Sequence, residues 1–306
     1  MMATKDIFKL GTRILIGAFF ITTAILKLLS IDEFEIYIYS FNIFNYVTGT
    51  VLARLLIACE FLLGFFLIFK ILYKQVWWLT MAMMMGFTLF LVYVALFRND
   101  TNCHCFGDFV ELDPVSSIIK NIITMLLLLI VRKEKDWHFR FQKIIAMLGV
   151  IVALVIPFAV FPMDTLYNKI VSPNDKINES AFIKQQSDSS LMELNIGEGD
   201  YMVAFIAAGC KYCKISGKKI NSIFENNKLD KSKLKMLIWG TEQKIEEYKQ
   251  ITGADSFEYY LINPVAAVNI TYGHFPSFAF VHNGKIVKSF DYRGIKESEV
   301  CEFLIQ

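Results

Sequence analysis

The chain has 306 residues, of which 55% are hydrophobic, with a mean hydropathy of +0.45 and a formal net charge of +2. An apolar share this far above that of a soluble domain points to a protein held in a lipid bilayer. So small a net charge excludes the basic footprint of a nucleic-acid binder, and no nucleic-acid partner is expected.

Five apolar segments lie at about 7–29, 50–69, 76–97, 115–131 and 144–161. Each is near the roughly 20 residues that cross a bilayer. The first is too long for a signal peptide and has no small-x-small cleavage site, so it reads as an uncleaved helix. Lys5, Lys9 and Arg13 open it, Lys70 and Lys74 follow the second segment, and Arg132, Lys133, Lys135, Arg140 and Lys143 follow the fourth. The loop 30–49 has no Lys or Arg, and 98–114 has only Arg98. Basic loops stay in the cytoplasm. The expected topology therefore has a cytoplasmic N-terminus and an extracytoplasmic C-terminal part, in a bacterial-type inner (cytoplasmic) membrane.

Within the spans, Glu60 is a costly intramembrane carboxylate. It marks either a proton-handling or quinone region or a neutral, hydrogen-bonded packing residue. Arg54 and Lys27 lie nearer the outer boundary, where their stems can snorkel. Cys59 has no evident mate, and Met81, Met83, Met84 and Met85 read as lipid- or helix-facing.

Cys103-His104-Cys105-Phe106-Gly107-Asp108 lies in the second external loop. A Cys-x-Cys disulfide closes a very small ring, so it should be easily reduced. The rival reading is a soft-metal site of Cys103, His104 and Cys105 for Cu or Zn. Asp108 and Asp113 read as surface turn residues before Pro114, which can open a helix.

Arg13-Ile-Leu-Ile-Gly17 with Lys27, Glu60-Phe-Leu-Leu-Gly64 and the Cys103–Asp108 motif together resemble DoxX-like and, more closely, MauE-type membrane proteins, over about residues 7–131. MauE-type proteins are associated with maturation of methylamine dehydrogenase, a partner that needs disulfides. The resemblance implies extracytoplasmic disulfide chemistry. The C-terminal domain fused to this part sets the chain apart, so the resemblance does not extend to the methylamine pathway.

The domains are expected at 1–162 (helical membrane part), 163–189 (polar linker) and 190–306. A flexible linker of about 27 residues would span on the order of 30 Å. The alternative is that part of it packs as an edge of the C-terminal domain.

That domain is organised around Cys210-Lys211-Tyr212-Cys213, between an apolar strand at 201–206 and a helical run at 215–226. The amides and partial positive charge of a helix N-terminus favour a thiolate, and Lys211 adds charge. Half a zinc site or an inert disulfide is the alternative, but further ligands at metal spacing are missing. A strand is expected at 234–239, then a helix at 242–252 with Thr241 as N-cap and Gly253 as stop. Strands at 278–281 and 286–290 flank the turn signal His282-Asn283-Gly284-Lys285, and a last helix covers 296–304. With Gly273-His274-Phe275-Pro276-Ser277 before the hairpin, this order resembles the thioredoxin fold over about 190–306. The resemblance implies that Pro276 is cis and faces the dithiol. Lys-Tyr stands where thioredoxin itself has Gly-Pro, and the Trp before the first cysteine is missing, so the direction of electron flow stays open.

The expected fold class is thus an all-α transmembrane bundle of about five helices followed by an α/β thioredoxin-like domain. The expected function is that of a membrane-bound thiol–disulfide oxidoreductase. Electrons would pass between Cys210/Cys213 and Cys103/Cys105, with Cys105 membrane-proximal and Cys103 the sulfur attacked. Exported thiol-containing proteins are the expected clients, and a lipid quinone is the one cofactor to consider, by analogy with VKOR-like and DsbB-like oxidases. The rivals are a metal-handling protein and a thioredoxin-like domain with a purely anchoring membrane part.

Overall fold

The computed structural model describes residues 4–98, 100, 102–134, 140–170, 177–186 and 194–305. Lys135, residues 171–176 and 187–193 of the expected linker and its junction, and the chain ends 1–3 and 306 lie outside the described residues. The chain divides into two compact units, Met1–Ile38 with Val47–Pro162, and Tyr39–Tyr46 with Met163–Gln306.

In chain order the first part carries α1 (Thr4–Leu29), α2 (Ile31–Tyr39), α3 (Tyr46–Phe69), α4 (Tyr73–Phe97), β1 (Cys105–Asp108), α5 (Pro114–Ile130) and α6 (Gln142–Ala159). α1, α3, α4 and α6 are long and apolar enough to cross a membrane. The fourth expected segment, at 115–131, is present as α5, an apolar helix of 17 residues. Asp113 does more than the expected turn residue: its side chain accepts from the amides of Val115 and Ser116 and caps α5, with Pro114 in the first turn. The loop expected over 30–49 contains α2, whose Ile31, Phe34 and Ile36 are buried.

Ile16, Phe20, Leu63, Leu67, Trp77, Met84 and Leu128 form one buried cluster of the bundle. α1 and α3 approach closely at Gly17 and Gly64. A Cβ on Gly17 would lie 2.7 Å from the Gly64 carbonyl, and one on Gly64 2.6 Å from the Gly17 carbonyl. Small residues allow this contact between helices in lipid, which gives both glycines a packing reason. α6 buries Ala153 and Pro157 and turns Leu148, Val152 and Val155 outward, as a lipid-facing helix does. Of the methionines, Met84 is buried, Met81 and Met83 pack beside it and Met85 is exposed.

Arg54 and Lys27 do not snorkel. Arg54, 2% exposed, pairs with Glu35 and donates to the Phe161 carbonyl at 2.8 Å. Lys27, 5% exposed, lies 2.5 Å from Glu60. A buried charge needs a partner, and each finds one on another helix.

The second part carries α7 (Asp164–Ile170), α8 (Glu179–Gln186), β2 (Asp200–Ala207), α9 (Lys211–Asn227), β3 (Leu234–Trp239), α10 (Glu242–Thr252), β4 (Glu258–Leu261), α11 (Pro264–Thr271), β5 (Ser277–His282), β6 (Lys285–Asp291) and α12 (Glu297–Leu304). The five-stranded sheet runs β4-β3-β2-β5-β6. β2 pairs parallel with β3, and β3 with β4, while β5 is antiparallel to both β2 and β6. This mixed sheet with its flanking helices is the α/β domain expected after the bundle.

β2 is central and its residues 202–206 are buried on both faces, which explains its unbroken apolar run. Val203 and Phe205 join Leu237, Ala279 and Val281 in one core cluster. Phe182 of α8 and Leu194 belong to the same cluster. The expected linker is therefore partly domain: α8 packs at its edge. Thr241 caps α10 and Gly253 ends it at φ +62°, as expected. β4 and α11, between the expected helix and hairpin, were not anticipated.

Candidate redox site

In the C-terminal domain, β2 delivers the chain to the start of α9, where Cys210 is the N-cap. Cys213 is fully buried, and its sulfur accepts the Ala207 amide at 3.4 Å. Cys210 is half-buried, and its thiol points to the Phe275 carbonyl at 3.8 Å. The Phe275–Pro276 bond is cis, as the fold resemblance implied. Pro276 shares a recess with Tyr212, His274 and Tyr292, in which the rings of Tyr212 and Tyr292 stack at 5.0 Å. On the other side Cys210 borders an open groove with Ala208, Trp239, Lys244 and Pro264.

Cys210 is lowered from 9.0 to about 6, first by the Cys213 S–H and then by the backbone amides of Cys213 and Tyr212, against the opposing effect of burial. Lys211 is not among these causes. The expected helix-end effect is present in the amides, and the expected lysine contribution is replaced by the partner thiol. Cys213 is pushed far up, by burial first and then by Cys210. One sulfur is held as a thiolate and its neighbour as a thiol.

The loop pair repeats this asymmetry. Cys103 is 4% exposed; its amide donates to the Leu112 carbonyl at 2.9 Å and its sulfur meets Ser117 Oγ at 2.9 Å. The Cys105 amide donates to Cys103 Sγ at 3.3 Å. His104 between them takes φ +52°, which lets the two cysteines turn toward one sulfur. Gly107, at φ +62°, lets the loop sit against α1, because a Cβ there would run into Ser30 Oγ. Cys103 is lowered to about 6, first by the Cys105 S–H, then by Ser117, the Cys105 amide and the Lys120 charge, against burial. Cys105 is raised, first by its hydrogen bond to Cys103 and then by burial, with Lys120 and Lys27 pulling the other way. All six cysteines are free thiols.

The two cysteines of the loop pair differ in exposure. Cys103 is the buried member and Cys105 the half-buried one. The His104 ring packs on Tyr37 with centroids 4.6 Å apart, and among the described residues no group of three or more His, Cys, Asp or Glu side chains is placed to hold a metal ion.

Glu60 was singled out in the sequence as a lone intramembrane acid, and Lys27 as a boundary residue. The structure joins them. Ser117 and Lys120 were missed. Their signal was a serine and a lysine within one turn of α5, on the helix that follows the Cys-x-Cys loop.

Residues 5–132 match the family model described as methylamine utilisation protein MauE. The match covers the helices from α1 to α5 and includes Cys103, Cys105, Lys27 and Glu60. With the four long apolar helices, it makes this chain a membrane protein. The chain is also similar to Protein TlpB of Flavobacterium psychrophilum, with 24% identity over an alignment 339 positions long, gaps included, covering 94% of this chain and 91% of that one. That likeness extends beyond the MauE part into the α/β domain. No solved structure matches.

Proposed function

We propose that this chain is a membrane-bound thiol–disulfide oxidoreductase that relays electrons between Cys210/Cys213 and Cys103/Cys105 in support of disulfide formation or reduction in exported proteins. The observation that carries this reading is the placing of the two pairs: Cys210 at the N-cap of α9, 3.8 Å from the carbonyl of Phe275 ahead of cis Pro276, with buried Cys213 one turn in, and buried Cys103 beside half-buried Cys105 in the loop. Each pair holds one sulfur lowered to about 6 and a neighbour held protonated, which is the division of labour that exchange requires. The basic loops favour a bacterial-type inner membrane with both pairs on the extracytoplasmic side, where disulfides persist.

The mechanism follows from the geometry of each pair. A Cys210 thiolate attacks Cys105, the more accessible sulfur of a Cys103–Cys105 disulfide, and Cys103 leaves as the better-stabilised thiolate. Cys213 then attacks Cys210 and releases Cys105, so two electrons have moved to the loop pair. The reverse sequence moves them out. Pro276 and the Phe275 carbonyl line the approach to Cys210, where a client cysteine would sit. A lipid quinone is the proposed final acceptor if the flow is oxidative. The recess lined by Ala24, Leu28, Ile57, Phe61 and Ala153 suits an isoprenoid tail and offers no polar side chain to a quinone head.

Full-length protein equilibrated in a series of glutathione buffers, alkylated and mapped by peptide mass spectrometry, tests the reading. Each pair should pass from dithiol to disulfide as a two-electron couple. A pair that stays dithiol across the series would remove it from the relay.

A further inference from the structure

The groove that opens from Cys210 away from Pro276 has an apolar wall of Ala208, Trp239, Leu261 and Pro264. Lys244 is the charged side chain among the described residues that line it. The Thr241 side chain accepts from the Lys244 amide at 3.4 Å, which fixes Lys244 in the first turn of α10. A cation there opposes the helix dipole, which favours acids at that end, so helix stability does not explain it. The side chain is exposed and reaches back over Gly209: a Cβ on Gly209 would lie 3.5 Å from Lys244 Nζ. The ammonium therefore stands beside the residue that precedes Cys210. Among the described residues Lys244 makes no ion pair. Glu247, one turn on, feels its charge but is held by Lys214 Nζ at 2.6 Å. The other flank of Cys210 differs. The recess beside Pro276 has His274 and Asp291 in its wall and no lysine or arginine among the described residues. One flank of the sulfur offers an unpaired ammonium, the other a carboxylate.

We propose that Lys244 is a specificity-determining residue: the groove takes the stretch of an exported client that flanks its reacting cysteine, and Lys244 pairs with a carboxylate next to that cysteine. The inference rests on the redox reading of Cys210 and Cys213 and names the class of client they meet. The occupant has to bring a sulfur to Cys210, and the groove starts at that sulfur. Its apolar wall gives the client's other side chains a contact surface, and the ammonium gives the carboxylate a charge-assisted hydrogen bond. In the reducing direction the Cys210 thiolate attacks one sulfur of a client disulfide. The Cys210–client bond forms, the client S–S bond breaks, and the electron pair leaves on the second client sulfur. Cys213 gives its proton to water and attacks Cys210 Sγ. The Cys210–Cys213 bond forms, and the client leaves with both sulfurs as thiolates, reduced by two electrons. Lys244 takes no part in these bonds and decides which client reaches them.

The test uses full-length Cys213→Ser protein in detergent micelles, in which an adduct on Cys210 is not resolved. Short blocked peptides, each with one cysteine activated as a mixed disulfide with thiopyridine, carry glutamate, glutamine or lysine next to that cysteine, on either side. They are offered as an equimolar mixture, and the adducts on Cys210 are counted by peptide mass spectrometry. Competition within one sample cancels any change in thiolate content or folded fraction, so a merely structural role of Lys244 leaves the ratios alone. A glutamate peptide should outcompete its glutamine counterpart by about threefold, the scale of an exposed ion pair. The preference should fall toward one in about 1 M salt. Lys244→Arg should keep it, Lys244→Gln should abolish it, and Lys244→Glu should turn it toward the lysine peptide. Equal adducts in the parent, or a glutamate preference that survives Lys244→Gln, would overturn the proposal and leave the redox reading standing. No adduct on Cys210 from any peptide would overturn both.

Discussion

Cys210 is the N-cap of α9, where its sulfur is stabilised first by the Cys213 S–H and then by the amides of Cys213 and Tyr212. Lowered from 9.0 to about 6, it is a thiolate at neutral pH. A depressed acid stabilises the reduced fold fully above its unfolded value, near 9, and loses that contribution as pH falls through about 6. In reduced full-length protein, Cys210 alkylation should therefore fall to half its plateau near pH 6, with Cys213 unreactive and the domain less stable below that pH. A half-point near pH 9 would refute the assignment. This much was legible because a dithiol at a strand–helix junction is a local pattern. The cause was only half legible, because Lys211 adjoins Cys210 in sequence while Cys213 acts on it in space. Lys27 and Glu60, 33 residues apart, meet through helix packing that no local pattern encodes.

At the scale of elements, β2, β3, the β5–β6 hairpin and α10 were readable, the last two because turn and cap residues stand at their ends: Thr241, Gly253, and Asn283-Gly284 at φ +49° and +77°. α8 was not. Its sequence, Glu-Ser-Ala-Phe-Ile-Lys-Gln-Gln, has no sustained apolar face, and Phe182 alone is fully buried. α11 did announce itself by Asn263 accepting from the Val265 amide ahead of Pro264, but Asn-Pro also reads as a turn. If α8 belongs to the domain, Phe182→Ala opens a hole in its core and should cost about 3–5 kcal/mol. Urea unfolding of the full chain, read by pulsed alkylation of Cys213, should show a lower midpoint. An unchanged midpoint would return this segment to the role of a tether.

For the whole molecule, composition and basic-loop asymmetry carried the division into an apolar bundle and a soluble-type α/β domain. They left the presence of α2 open, because the lack of Lys and Arg in the loop 30–49 says nothing of its buried Ile31, Phe34 and Ile36. The central claim is that the two cysteine pairs exchange directly. Cys213→Ser removes the resolving thiol, and Cys103→Ser leaves Cys105 as the one loop sulfur for Cys210 to hold. After mild oxidation of full-length protein, peptide mass spectrometry of Cys213→Ser/Cys103→Ser should show an intramolecular Cys210–Cys105 link, and much less of a Cys210–Cys103 link in Cys213→Ser/Cys105→Ser. No link in either variant, with each pair titrating independently in the intact protein, would contradict the relay.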